Sequence, residues 1–151
     1  MLSDFMDKFN KISKNPYDTI VYRTYDKGGS PIYHTNVVQA ILKDHVVLCT
    51  EAIKDESSRK RVVDELTNPK INNSPRELID INYEEMGNMA GNMIMLMNTQ
   101  GKHLCIMSER ARQNLRRHNL QTIEKNYKIV SADLTTIELI GGGSARCMVA
   151  E

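Results

Sequence analysis

Tryptophan is absent from this chain and phenylalanine occurs twice, with aromatic residues at 5% of the total. A core must therefore be filled by Leu, Ile, Val and Met, and an apolar content of 40% is enough to build one. An excess of charge of either sign is missing too: 20 Lys and Arg stand against 19 Asp and Glu, a formal charge of +1. That balance gives no electrostatic basis for binding nucleic acid or an anionic membrane. Arg110, Arg112, Arg116 and Arg117 do cluster, but on a predicted helix, where they form a solvated face. No apolar run is long enough to span a bilayer. Cysteine is scarce and unpaired: Cys49, Cys105 and Cys147 make an odd set without a C-x-x-C, which indicates neither a disulfide framework nor a zinc site. The N-terminal stretch holds Asp4 and Asp7 and no apolar h-region, so it does not read as a secretory signal, and the expected location is the cytoplasm.

What is present is a regular alternation of elements. Leu2, Phe5, Met6, Phe9 and Ile12 fall at helical spacing and predict a helix over 2–13, stopped by Asn15-Pro16. Residues 19–25 alternate weakly and predict a strand or an extended arm, followed by a loop at Asp26-Lys27-Gly28-Gly29-Ser30-Pro31. Val37–Leu42 and His45–Thr50 predict a hairpin closed by Lys43-Asp44. A helix over 55–66 follows, capped by Asp55 or Ser57 and ended by Asn68-Pro69; after a loop at 72–75 comes a strand over 77–82. The order then recurs. Residues 92–98 and 103–107 predict strands about the turn Thr99-Gln100-Gly101, a helix runs from a Ser108 cap to Asn119 with a further helical turn over 121–126, and Lys128–Ala132 predicts a strand. A strand-strand-helix-strand unit repeated at roughly fifty residues predicts units that bury their faces on one another. Met93, Met95 and Met97 alternate with Ile94 and Leu96, which predicts a strand buried on both faces rather than a thioether metal site. Cys49 and Cys105 close apolar runs and read as buried strand residues. A last strand is expected at Met148–Ala150.

Two segments carry chemistry. Gly141-Gly142-Gly143-Ser144-Ala145-Arg146-Cys147 sets a thiol behind a glycine run, where the backbone can approach a ligand closely. Tyr33-His34-Thr35-Asn36 sets an imidazole far upstream, the pairing expected of a thiol nucleophile and its acid/base partner. Arg146 may be read from the sequence either as a neighbour that adds positive charge at the thiol or as a solvent-facing residue.

These stretches resemble a known group. Tyr33–Val38, Cys49-Thr50-Glu51-Ala52-Ile53, Ala90-Gly91-Asn92-Met93, Cys105–Ala111 and Ile137–Met148 are similar, in order and spacing, to the arginine deiminase-related proteins of the amidinotransferase superfamily (penteins), and most of all to the citrulline-utilisation hydrolases. The resemblance covers residues 17–151, read as the C-terminal part of such a domain; 1–16 is left as a helix and linker.

The resemblance implies an α/β class: a partial α/β-propeller built of ββαβ units, an incomplete ring, hence a fragment or truncated copy. It implies a guanidine-modifying enzyme. Cys147 would form a covalent thiouronium adduct with an arginine-like substrate and His34 would shuttle protons, without metal or organic cofactor. Transfer of the amidino group to an amine, or an inactive half-ring that self-associates through exposed edges, are the alternatives. A guanidinium favours paired carboxylates. Several relatives carry an acid two residues after the histidine, where this chain has Asn36. Asn36, Asn92, Arg146 and Glu138 are the candidate substrate contacts, with Asn92 read either as lining the pocket or as capping a loop; Glu138 and Asp133 are expected to be solvated, and Glu51 to be structural. His45, His103 and His118 match no motif and are expected at the surface or in turns.

Overall fold

The computed structural model describes residues 2–13, 19–70 and 74–150. The expected stop at Asn15-Pro16 and the part of the loop at Asn72-Asn73 lie outside these. Helix α1 (Leu2–Ile12) forms as its spacing predicts, with Phe5 and Phe9 stacked 6.1 Å apart on a face that stays exposed. Residues 19–25 do not form a strand; a single bridge joins Tyr25 to Pro31 across the glycine loop.

The first unit begins with one helical turn, α2 (Thr35–Val38), where a continuous strand was expected. Strand β1 (Gln39–Ile41) then pairs antiparallel with β2 (His45–Leu48), Ala40 opposite Val47. Helix α3 (Glu56–Thr67) crosses back and β3 (Glu77–Asp80) lies parallel to β2, Val47 opposite Ile79. The cap of α3 is Asp55, whose carboxylate accepts from the Ser58 N–H. Hydrogen bonds from Ser57 and Ser58 hold that carboxyl down at about 2.

The second unit repeats the topology. Strand β4 (Ile94–Met97) pairs antiparallel with β5 (His103–Ser108), and β6 (Lys128–Ala132) lies parallel to β5. Between the units sits α4 (Tyr83–Gly87), which the sequence reading passed over. The crossover is two helices, α5 (Glu109–Asn114) and α6 (Arg117–Asn126), where one long helix with a short addition was expected. Both sheets thus run edge, centre, edge in the orders β1-β2-β3 and β4-β5-β6. Because β4 is an edge strand, only its start is buried; Leu96 and Met97 are exposed, which corrects the expectation of burial on both faces. Met148–Ala150 is not a strand either. Ala145–Met148 is a 3₁₀ turn, preceded by α7 (Thr135–Gly141).

One apolar cluster joins the units. Val46, Val47 and Leu48 of β2, Val62 of α3 and Ile79 of β3 meet Cys105 and Met107 of β5, Ala111 of α5 and Ile123 of α6. Polar ties cross the same boundary. Glu85, almost fully buried, accepts from the Arg116 backbone and guanidinium and from Asn119, while Arg116 and Asn119 also bond the Asp80 carbonyl. His45 is buried, contrary to the surface position expected of it; its Nδ1 is 2.8 Å from the Tyr127 hydroxyl, which also accepts from the Asp44 N–H. The four arginines keep the solvated positions expected of them, and three of them also make ties within the protein. Arg116 is tied to Glu85, Arg110 to Asn88, Gly87 and Glu138, and Arg112 lies 3.9 Å from Glu124.

A close approach of backbones places the two segments that matter most. A Cβ on Gly91 would stand 2.1 Å from the Val37 carbonyl oxygen, so only glycine lets the 3₁₀ turn Ala90–Asn92 press against α2. That contact brings Asn92 beneath Asn36.

Candidate active site

Two chain segments, 34–37 and 141–147, converge at one cleft of about 400 Å³, lined by His34, Asn36, Val37, Gly141, Gly142, Gly143 and Cys147. His34 stands at the N-terminal boundary of α2 in extended conformation, exposed, with its carbonyl accepting from Val37 N–H. Cys147 sits on the terminal 3₁₀ turn, also exposed. The two expected reactive groups therefore open onto one cavity. No carboxylate is among the residues that line it.

The glycines make this geometry. Gly142 has φ +69 and ends α7, its N–H donating to the Glu138 carbonyl, so the chain reverses at once toward the cysteine. Gly143 lies against the thiol: a Cβ there would stand 2.8 Å from Cys147 Cβ and 2.9 Å from its sulfur.

The sulfur has two polar neighbours. Asn92 Nδ2 donates at 3.1 Å and Asn36 Nδ2 at 3.4 Å. Asn36 thus lines the cleft, and its Oδ1 is buried with no hydrogen-bond partner among the described residues. Asn92 does not face the cleft. It is buried, and its amide is spent on Asn36 O, on the sulfur and on backbone N–H groups of the cysteine turn. Arg146 also lies off the cleft, in a concavity on the other side of Asn36 with Thr35, Gln39 and Met93.

Glu138 departs furthest from expectation. It is on a helix, not at a strand end, and its side chain is wholly buried. Its Oε1 accepts from Ser144 Oγ at 2.6 Å, and its Oε2 lies 3.6 Å from Arg110 Nη1, within ion-pair range but beyond a hydrogen bond. It braces the cysteine turn from beneath. Asp133 is exposed and accepts from Thr135; Glu51 accepts from the Tyr83 N–H, a structural part as expected.

The other thiols are inert by position. Burial pushes Cys49 up to about 11 and Cys105 to about 12, and neither has exposed surface. Among the described residues no cluster of His, Cys, Asp and Glu could hold a metal, and no helix is long and apolar enough to cross a membrane. A larger concavity of about 590 Å³ gathers Lys27, Lys54 and Arg59 with Glu51 and Glu84 but is lined by neither cysteine nor histidine.

Comparison with known proteins places the chain in a family. The family described as eukaryotic N,N dimethylarginine dimethylhydrolase matches residues 3–151, and the chain belongs to that family. It is a family within the pentein superfamily that the motifs resemble, though not the citrulline-utilisation branch they suggested. A search of curated proteins found no match. Among solved structures, the chain is similar to apo ArgZ, an arginine dihydrolase from the ornithine-ammonia cycle in Cyanobacteria, with a TM-score of 0.60 and 22% identity. That similarity covers 94% of this chain and 19% of the ArgZ chain, so this chain spans about a fifth of the larger protein. The likeness shows the fold: a mixed α/β architecture of small sheets.

Proposed function

We propose that this chain supplies the nucleophile and the proton-transfer group of a hydrolase acting on guanidino C–N bonds. The observation that carries the proposal is the cleft shared by His34 and Cys147, two groups from opposite ends of the chain.

In this reading the Cys147 thiolate adds to the guanidino carbon. His34, protonated, passes its proton to the departing nitrogen, which leaves as ammonia from arginine or as dimethylamine from a dimethylated arginine, and a thiouronium adduct remains on sulfur. Neutral His34 then takes a proton from water as that water attacks the adduct, and the C–S bond breaks to give the ureido product. Amidino transfer would use the same adduct with an amine in place of water. Water is preferred because the family is described as one of hydrolases. Asn36 lines the cleft and directs its Nδ2 at the Cys147 sulfur, so it can help hold the thiolate in place. The positive charge of a guanidinium must be met by a carboxylate from beyond the lining residues, since none is among them. A place in a larger α/β-propeller, with further units completing the ring, fits both this gap and the small share of ArgZ that the chain covers.

The test is incubation of the purified chain with arginine and, separately, with N,N-dimethylarginine, with assay of ureido product and released amine. Turnover is expected, and it should fall by about a hundredfold or more in Cys147→Ala and in His34→Ala. No ureido product from either substrate and no substrate-derived adduct on Cys147, with folded protein, sinks the reading. A second reading, a self-associating binding module, draws on α7, where Ile137, Leu139 and Ile140 are exposed at 40%, 75% and 84%. Elution as a larger species together with absent turnover would favour it.

A further inference from the structure

Asn92 is the most constrained polar side chain near the cleft, and it has no surface with which to meet a substrate: its exposure is 1%. Its Oδ1 accepts from the backbone N–H of Ser144 and of Arg146, each at 3.1 Å, and more weakly from that of Cys147 at 3.4 Å. Its Nδ2 donates to the Asn36 carbonyl at 2.9 Å and to the Cys147 sulfur at 3.1 Å. The orientation of the amide follows from chemistry. Three backbone N–H groups can be met only by an acceptor, so the oxygen must face the turn and the NH₂ must face the sulfur.

We propose that Asn92 is the positioning residue of this site: one amide clamps the cysteine turn by its oxygen and aims the Cys147 sulfur by its nitrogen. The inference goes beyond a shared cleft, and its meaning for catalysis rests on Cys147 being the nucleophile. No other side chain of this length does both tasks. Aspartate accepts at both ends and would set a carboxylate oxygen against the Asn36 carbonyl and the sulfur. Leucine does neither, and would leave the turn's N–H groups buried without partners. Glutamine is one methylene too long for a site sealed on one side by the Gly91 approach to α2. The amide donors are used up within the protein, so Asn92 acts on the reaction through Cys147 and not by touching substrate.

The experiment has two arms, neither of which needs turnover. In the unmodified chain, amide hydrogen exchange should show Ser144 and Arg146 protected, although both lie in a terminal turn; exchange at unprotected rates would overturn the clamp. In Asn92→Asp, alkylation of Cys147 by iodoacetamide at neutral pH should slow by about tenfold, the scale of one lost charge-assisted hydrogen bond. Alkylation of Asn92→Asp at the unmodified rate would refute the aiming role. If the variant does not fold, the exchange arm decides. Failure of arginine hydrolysis would leave both arms readable, so the two proposals fail separately. If turnover is observed, Asn92→Asp should lower kcat with KM little changed. A raised KM with kcat intact would make Asn92 a substrate contact and overturn the assignment.

Discussion

Three consecutive glycines offer a graded test of how the cysteine turn is built. At Gly143 an added Cβ would stand 2.8 Å from Cys147 Cβ and 2.9 Å from its sulfur. An unstrained contact needs about 3.5 Å or more, so some part of the turn must yield by more than half an ångström. Overpacking of this kind costs about 1–3 kcal/mol. Cys147 is exposed and its side chain can turn away, so Gly143→Ala should sit near the low end, which for a chain of this length lowers Tm by about 2–4 °C per kcal/mol. The effect on chemistry should be larger than the effect on stability. Relief comes either from rotation of the cysteine side chain or from lifting of the turn, and both draw the sulfur off the Asn92 and Asn36 amides. Iodoacetamide alkylation of Cys147 should slow by about tenfold, as expected for a lost contact of this strength. Gly142 differs: its Cβ would meet nothing within 4 Å, but φ is +69, so alanine there costs about 1 kcal/mol of backbone strain with the sulfur's neighbours left in place. Gly141 ends α7 with open space around it, and Gly141→Ala should hold or raise stability by about 0.5–1 kcal/mol. Thermal melts and alkylation rates of the three variants would decide the matter. Unchanged thiol reactivity in Gly143→Ala, or equal slowing in Gly142→Ala, would refute the claim that the contact at Gly143 sets the sulfur.

Three further outcomes follow from the geometry. A disulfide reagent added to native protein should consume one thiol quickly and three after denaturation, because burial holds Cys49 and Cys105 at about 11 and 12 while Cys147 is exposed; loss of the fast phase in Cys147→Ala is the check. Glu85 is buried, which alone would raise its carboxyl, but hydrogen bonds from the Asn82 and Arg116 N–H groups, the Asn119 amide and the Arg116 guanidinium outweigh this and hold it below the usual range. Its contribution to stability is therefore present above the unfolded carboxylate pKa and lost as the pH falls through the lower folded value. Glu85→Gln should cost about 1–3 kcal/mol at neutral pH, with a flatter acid limb in denaturation curves. Tyr127→Phe strips partners from His45 Nδ1 and Asp44 N–H and should cost about 1–2 kcal/mol in urea denaturation; no loss would mean that this tie between units carries little.

What the sequence made legible was whatever repeats or sits locally. The Asp55 and Ser108 caps stand within three residues of the N–H groups they satisfy, and both were readable. The hairpins and the repeated strand-strand-helix-strand order follow from apolar spacing. Helix α4 was missed although its signal is local: Asn82 and Glu85 form a reciprocal capping box, overlooked because the helix is only five residues long. Glu138 misled for a deeper reason. Its neighbours Ile137, Leu139 and Ile140 are the apolar residues of α7, so pattern alone puts the carboxylate outside, yet the helix turns it inward. What reverses the pattern is Ser144 and Arg110, one from the cysteine turn and one from α5. His45 was misplaced for the same reason, since its partner Tyr127 comes from beyond the other unit's crossover.

This difference explains why residues around the cleft could be named from the sequence while the contacts that join them could not. An apolar core writes itself into sequence as a period, because every buried face recurs every two or three to four residues. A hydrogen-bonded clamp has no period. Asn36, Asn92 and Ser144 each occur once, in segments separated by whole elements, and what joins them is the glycine-permitted approach of the Asn92 turn to α2. The polar solution is also the one the position requires. The cysteine turn must stay open to the cleft, so it cannot be fixed by burying apolar side chains as α3 and β2 are. A buried amide holds an exposed turn through its backbone while leaving the sulfur accessible, and a buried carboxylate under Ser144 fixes the other side. If that division holds, Ser144→Ala should loosen the turn without altering the sulfur's own contacts. It should speed amide exchange at Ser144 and Arg146 and leave Asn92 in place, and so slow alkylation by less than Asn92→Asp does. The reverse order of effects would show that the carboxylate, and not the amide, governs the cysteine.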